Sequence, residues 1–292
     1  MPRIQPRRSV LYMPASNARA LDKAKQVAAD ALILDLEDSV APDAKMTARA
    51  QAAAAIASRK DYGRKELVIR VNAPDTIWFE DDLAAAIAAE PDAILIPKIS
   101  DADMLAVIGR KLSLAGAPVN TRIWVMIETP QAILSIETIA RAARDPSTRL
   151  ACFVLGLNDL AKETRARFVP GRAPMLPWMS QALIAARANG IDILDGVYND
   201  LKDETGFASE CEQARDMGFD GKTLIHPDQI DIANTVFAPS QLDVTAAKAV
   251  IHAFELPENT GKGAIQLNGR MVERLHADMA RRVVAMAEAI AA

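Results

Sequence analysis

The sequence predicts an α/β fold, a (β/α)8 barrel with a C-terminal helical extension, on three observations. Eight short, β-rich apolar runs recur at near-regular intervals, and Ala-rich segments with helical periodicity lie between them. The runs are apolar on both faces, as parallel strands covered by helices must be. Eight β/α units are what a closed barrel requires.

In chain order the runs are "SVLYMP" (9–14), "ALILDLE" (31–37), "ELVIRVN" (66–72), "AILIPK" (93–98), "RIWVMIE" (122–128), "CFVLGL" (152–157), "DILDGV" (192–197) and "KTLIH" (222–226). Helical periodicity is clearest over 43–58, 80–89, 131–143, 178–189 and 207–217. An open doubly wound sheet would read similarly strand by strand. It would place a glycine-rich phosphate turn after an early strand, and "SVLYMPASN" has no glycine. Past residue 230 the pattern changes: a helical stretch at 241–254 leads into "LPENTGKGAIQLNGRMVERLH", read as an exposed flap, and then into an amphipathic helix over 271–290. The expected organisation is a TIM-barrel catalytic domain over 1–235 and a helical lid over 236–292.

Composition narrows the functional classes. The 292 residues are 50% hydrophobic and 25% charged, ample for a packed core. A net charge of -4 and a pI near 5.5 argue against a nucleic-acid partner. No apolar stretch approaches the roughly 20 residues of a membrane span, and "MPRIQPRRSVLYMP" lacks the apolar segment of a signal peptide, so a cytoplasmic protein without membrane contact is expected. Cys152 and Cys211 stand alone and read as packing residues.

In such a barrel the active site lies at the C-terminal ends of the strands. The runs end in, or are followed by, Glu37 and Asp38, Arg70 and Asn72, Lys98, Glu128, Asn158 and Asp159, with Asp195 in the seventh run and His226 closing the eighth. Asp and Asn are common turn formers, but Glu, Lys, Arg and His are not. So many ionisable groups on one rim point to a site. Glu128 and Asp159 end strongly apolar runs on adjacent strands, and two carboxylates with open positions suit Mg2+, with Mn2+ as an alternative. Three histidines without a paired spacing and two lone cysteines argue against zinc. Arg70 offers a rigid fork to a carboxylate or enolate oxygen; pairing with Glu37 or Asp38 is compatible with that role. Asp35, deeper in its run, reads as a buried hydrogen-bonding partner.

These motifs together resemble a known family. "RRSVLYMPASNARALDKAKQVAADALILDLEDSVAPDAKMTAR", "VIRVN", "ILIPK", "MIETPQAI", "GLNDLA", "DGVYNDLKDETGF" and "IHPDQI" are similar, in this order, to the citrate lyase beta subunit and malyl-CoA lyase family of the HpcH/HpaI aldolase superfamily. The resemblance runs from Arg7 to Ile230, and "LNGRMVERLH" resembles the family's lid motif. It implies a TIM barrel with Mg2+ on Glu128 and Asp159, Arg70 on the oxo-acid or enolate oxygen, and Glu37 and Asp38 around the metal's water shell. It implies homotrimers or hexamers whose C-terminal segment closes over a neighbouring subunit's site. The lid motif departs in one position: Glu273 stands where lyases of the family carry the aspartate that serves as acid/base.

The implied reaction is cleavage of a 3-hydroxy-3-carboxy acyl-CoA thioester, of malyl-, methylmalyl- or citramalyl-CoA type, to a 2-oxo acid and a short acyl-CoA. Arg70 and Glu273 are the expected catalytic residues. Arg19, Lys23 and Lys25, after the first run, are the candidate cations for the coenzyme A phosphates. Three other readings stand beside it: a citrate lyase beta subunit working with an acyl carrier protein partner, a metal-dependent 2-oxo acid aldolase, and a binding role without turnover.

Overall fold

The computed structural model describes residues 4–292 and divides them into two compact units, residues 7–234 and residues 235–292 with 4–6. In the first unit eight parallel strands close into a barrel in sequence order, β1 (Ser9–Pro14), β2 (Ala31–Asp35), β3 (Glu66–Arg70), β4 (Ala93–Ile96), β5 (Arg122–Ile127), β6 (Leu150–Leu155), β7 (Asp192–Asp195) and β8 (Gly221–Leu224). β8 pairs back onto β1. Helices α1 (Ala18–Ala24), α2 (Lys45–Ala57), α3 (Phe79–Ala89), α4 (Ala102–Leu114), α5 (Pro130–Leu134), α6 (Ile136–Arg141), α7 (Leu157–Thr164), α8 (Leu176–Ala188) and α9 (Glu204–Met217) lie between the strands, and α10 (Ile230–Phe237) follows β8.

Several strands are shorter than the apolar runs that predict them. Runs two to five, to 37, 72, 98 and 128, give strands that stop at Asp35, Arg70, Ile96 and Ile127, so Glu37, Asn72, Lys98 and Glu128 fall in the loops that follow the strands. The segment 131–143 forms two short helices meeting at Ser135. Helix α4 went unread in the sequence, although Leu105, Ile108 and Leu112 are its buried face and Asp101 caps it by accepting from the Met104 amide.

Strict alternation fills the barrel interior. Val10, Ala31, Ile33, Val68, Ala93, Leu95, Trp124, Met126, Cys152, Val154 and Leu194 form one buried cluster with Tyr12 against it. The N-terminal end is plugged by Arg7, whose Nε and Nη2 donate to Glu66 at 2.7 and 2.8 Å, which pairs with Asp192, and whose guanidinium lies 4.9 Å from the centre of the Trp124 ring. The polar site is therefore confined to the other end.

Asp195 faces the other way. Leu194 takes the inward position of β7, so its neighbour Asp195 points into the helical layer, where it is fully buried. Arg172 Nη1 donates to both of its oxygens at 2.9 and 2.7 Å, and Lys222 Nζ donates at 2.7 Å, with Glu210 taking a second contact from each cation. Burial works to raise the Asp195 pKa, but Lys222 and Arg172 together hold it below the ordinary carboxylate value. The contribution of this acid to stability is thus present above its unfolded pKa, about 3.9, and lost only as pH falls below that. Asp195→Ala, which leaves two cations buried, is expected to cost about 3–5 kcal/mol in urea unfolding at pH 7.

The second unit is a small helical and hairpin assembly. Helix α11 (Gln241–Glu255) is capped by Ser240, whose Oγ accepts from the Asp243 amide while Asp243 accepts from the Ser240 amide. Where the sequence reading has only a flap, β9 (Ala264–Leu267) and β10 (Arg270–Glu273) pair antiparallel. Their two-residue turn is Asn268-Gly269, both at positive φ (51° and 76°), the conformation that Asn-Gly favours in tight hairpins. Because 270–273 are strand, the last helix, α12 (Arg274–Ala291), starts later than the sequence expectation of 271. Ala253, Phe254, Ile265 and Ala277 form its core with Val250, Leu267 and Val272. Among the described residues no helix is long and apolar enough to cross a membrane.

Candidate functional site

The inward alternation of β2 continues past the strand end: after Ala31 and Ile33 come Asp35 and Glu37. Register places Asp35 beside Arg70 on β3. Arg70 Nε and Nη2 donate to the two Asp35 oxygens at 2.6 and 2.7 Å, a bidentate fork buried in the barrel mouth. Asp35 is itself fixed by the Glu37 and Ser39 amides. Arg70 Nη1 lies 2.8 Å from Glu37 Oε2, yet that buried oxygen has no hydrogen-bond partner. The exposed Asp38 reaches within 3.8 Å of the same nitrogen. Since Asp35 already matches the arginine's charge, Glu37 is a surplus buried acid. Burial, aided by Glu128, Asp38 and Asp35 and opposed by Arg70, pushes its carboxyl up to about 8.

Glu128 continues the inward set Trp124, Met126 on β5 and is 2% exposed. Asp159 lies in the first turn of α7, where an acid also suits the positive end of the helix. The two meet across Lys98: its amide donates to Glu128 Oε1 at 2.8 Å, and its Nζ lies 2.6 Å from Asp159 Oδ1 and 3.7 Å from Glu128 Oε1. Burial pushes the Glu128 carboxyl up, against the pull of this lysine. By alternation from Ala93 and Leu95, Lys98 should face outward. A left-handed backbone, φ 54°, turns it back over the mouth.

Gly156, next inward after Cys152 and Val154, leaves the room Glu128 needs. A Cβ there would stand 2.4 Å from Glu128 Cβ and 2.7 Å from Oε2. Since φ of Gly156 is -101°, space rather than backbone conformation makes it glycine. Gly156→Ala should displace the Glu128 carboxylate by about 1 Å and cut turnover about 10²-fold, read by steady-state kinetics, while the protein stays folded by circular dichroism.

The mouth thus gathers Glu37, Asp38, Arg70, Lys98, Glu128 and Asp159. Asn158, also on the expected rim, pairs with Asn199 instead, and three further residues of that rim do not join them. Asp195 is in the helical layer, Asn72 binds Lys45 and Asp82 beside α2 and α3, and His226 caps the turn at Asp228. Of the three candidate phosphate cations, only Arg19 is on the mouth side, exposed in the first turn of α1. Helix α1 runs away from the mouth, so Lys23 sits in its last turn and Lys25 is carried to the opposite end of the barrel. There Lys25 pairs with Asp22 and Asp61, and its carbonyl accepts from Lys65, which precedes β3. In the second unit Glu273 ends β10 at intermediate exposure, and its amide donates to His276 Nδ1 at 2.9 Å.

Two groups at the site carried no role in the sequence reading. The Tyr12 ring lies 4.8 Å from the Arg70 guanidinium carbon inside the barrel. Lys45, buried, donates to the Leu36 and Glu37 carbonyls and to Asn72 at 2.7–2.8 Å, fixing the turn that aims Glu37. Tyr12 is legible from the alternation of β1; nothing local signals Lys45.

The donor set fits a hard divalent cation. It is oxygen only, it already surrounds a positive charge, and the buried Glu37 oxygen lacks a hydrogen bond. Among the described residues no three of His, Cys, Asp or Glu converge, so a cation here would take two carboxylates and complete its shell with water or substrate oxygens, as Mg2+ commonly does.

Comparison with known proteins agrees with this architecture. The chain is 48% identical over 287 residues to the (3S)-malyl-CoA thioesterase of Cereibacter sphaeroides (strain ATCC 17029), covering 98% of this chain and 96% of that one. It is 37% identical over 287 residues to citrate lyase subunit beta of Escherichia coli K12, covering 97% and 93%. Among solved structures, CitE of Mycobacterium tuberculosis in complex with magnesium, acetoacetate and coenzyme A superposes with a TM-score of 0.76 at 28% identity, over 97% of this chain and 98% of that one. The family model for HpcH/HpaI aldolase/citrate lyase matches residues 8–227, almost the whole barrel, and the chain belongs to that family.

Proposed function

We propose that this chain acts on a 3-hydroxy-3-carboxy acyl-CoA thioester of the malyl-CoA type at a Mg2+ held by Glu128 and Asp159, and breaks a carbon–carbon bond to give a 2-oxo acid and a short acyl-CoA. The observation that carries the reading is the oxygen-only pair Glu128 and Asp159 around a cation at the barrel mouth, in the same rim as Arg70. The magnesium, acetoacetate and coenzyme A in the Mycobacterium tuberculosis CitE structure support it. When bound, the cation supplies Lewis acidity to the substrate's hydroxyl and carboxylate oxygens.

The chain's own residues do the rest. The Lys98 amide holds Glu128 in place. Arg70 commits two of its five N–H groups to Asp35 and one, on Nη1, to Met126 Sδ at 3.6 Å, and the other two can stabilise the oxygen that gains charge as the carbon–carbon bond breaks. Glu37, aimed by Lys45, holds Arg70 and orients water. Glu273, supplied by a neighbouring subunit in a homotrimer or hexamer, exchanges a proton with the α-carbon of the acyl-CoA.

A second reading is hydrolysis of the same thioester. Two observations favour it: the 48% identical relative is named a thioesterase, and Glu273 replaces the lid aspartate that the lyase motif carries. In that reading Glu273 takes the proton from the water that attacks the thioester carbonyl, and coenzyme A thiol leaves.

Purified protein with Mg2+ and malyl-CoA separates the two. Glyoxylate with acetyl-CoA marks carbon–carbon cleavage; malate with free thiol and no glyoxylate marks hydrolysis. Absence of both, with malyl-, citramalyl- and citryl-CoA alike and without partner subunits, would contradict the proposal. Glu273→Gln should lower turnover about 10²-fold or more in either case, and an unchanged rate would remove Glu273 from the chemistry.

A further inference from the structure

Lys98 is held in an unusual way for a residue with no part in the expected chemistry. It leaves β4 on the outward side and is turned inward by a left-handed backbone, a conformation that a non-glycine residue keeps only when its surroundings enforce it and that is common at functional sites. The enforcing contacts are both to the proposed metal ligands, amide to Glu128 and ammonium to Asp159. The ammonium is also 3.7 Å from the Glu128 oxygen its own amide binds, so one positive charge spans the pair. Side-chain exposure is 31% for both Lys98 and Asp159 and 2% for Glu128. Without a cation between them, two such carboxylates would repel each other.

We infer that Lys98 is a built-in counter-ion that competes with the divalent cation for Glu128 and Asp159. The inference rests on the metal site proposed above. In the metal-free protein the ammonium, in contact with both carboxylates, holds them in position. Like charges repel across so short a span, so a dication bonded to these carboxylates pushes the ammonium off, while the uncharged amide contact to Glu128 stays. Lys98 therefore weakens metal binding in exchange for a site that does not collapse when empty.

The test is calorimetric titration of chelator-stripped protein with Mn2+ alone, at fixed pH and ionic strength, for the native chain, Lys98→Met and Glu128→Gln. Lys98→Met should bind Mn2+ at least about tenfold more tightly, because a like charge beside an ionic site is worth one or more pKa units. It should also melt at lower temperature than the native chain without metal, and Mn2+ should close that gap. Lys98→Gln gives a second, polar and uncharged variant if the methionine form does not fold. Mn2+ affinity equal to or weaker than native in the folded variants overturns the inference, since a merely structural ion pair predicts destabilisation without tighter binding. The two failures are distinguishable: native-like Mn2+ binding by Glu128→Gln removes the metal site itself, whereas loss of binding there with no tightening in Lys98→Met removes only the role of Lys98.

Discussion

Glu128→Gln and Asp159→Asn should each lower metal-dependent turnover about 10³-fold and leave the barrel folded. The size follows from the several kcal/mol that a bound cation contributes to charge stabilisation, at 1.36 kcal/mol per tenfold in rate. Folding should survive for local reasons. Glutamine at 128 keeps an oxygen to accept the Lys98 amide, and Asp159 lies at the half-open mouth on α7 rather than in the core. The check is steady-state kinetics across a Mg2+ titration with thermal melts on the same preparations. Rates within threefold of the native chain would remove these carboxylates from the site.

Arg70→Met should have the largest combined effect. Asp35 is 1% exposed and takes two charge-assisted hydrogen bonds from Arg70, which hold its pKa down against the upward push of burial. Removing the guanidinium leaves that carboxylate buried with only the Ser39 hydroxyl and two amides, at a cost of about 3–5 kcal/mol. Turnover should fall about 10²–10³-fold beyond any loss from unfolding, as for removal of an oxyanion donor. Arg70→Lys restores charge but not the fork and should recover stability only in part. The double variant Asp35→Asn with Arg70→Met should be more stable than Arg70→Met alone, because no buried charge is then left unpaired. Urea unfolding of Arg70→Met, Asp35→Asn and the double variant measures this directly; additive losses would mean that the pair is not coupled.

The barrel was legible because each strand is a compact apolar run and eight of them fit one closed topology. Inward-facing site residues were legible for the same reason. Glu37 extends the parity of Ala31, Ile33 and Asp35, and Glu128 extends that of Trp124 and Met126. What escaped the sequence is what breaks parity or arrives from elsewhere in the chain. Lys98 faces the site only through a positive φ that no local pattern announces. Asp195 looks like a rim acid in one dimension, yet its odd position on β7 sends it to Arg172 and Lys222. Lys25 is close to β1 in sequence, but the direction of α1 carries it away from the mouth. In the C-terminal unit the Asn268-Gly269 turn was in plain view, and it accounts for the hairpin that shortens the last helix.

The account centres on a divalent cation held by two carboxylates at the mouth of this barrel. The most direct measurement is an anomalous difference map from crystals of the native chain and of Glu128→Gln equilibrated with Mn2+. The native map should show one strong peak bonded to Glu128 and Asp159 at the barrel mouth, with Lys98 Nζ moved off Asp159, and the variant should lose it. A peak elsewhere, no peak, or an equal peak in Glu128→Gln would contradict the assignment.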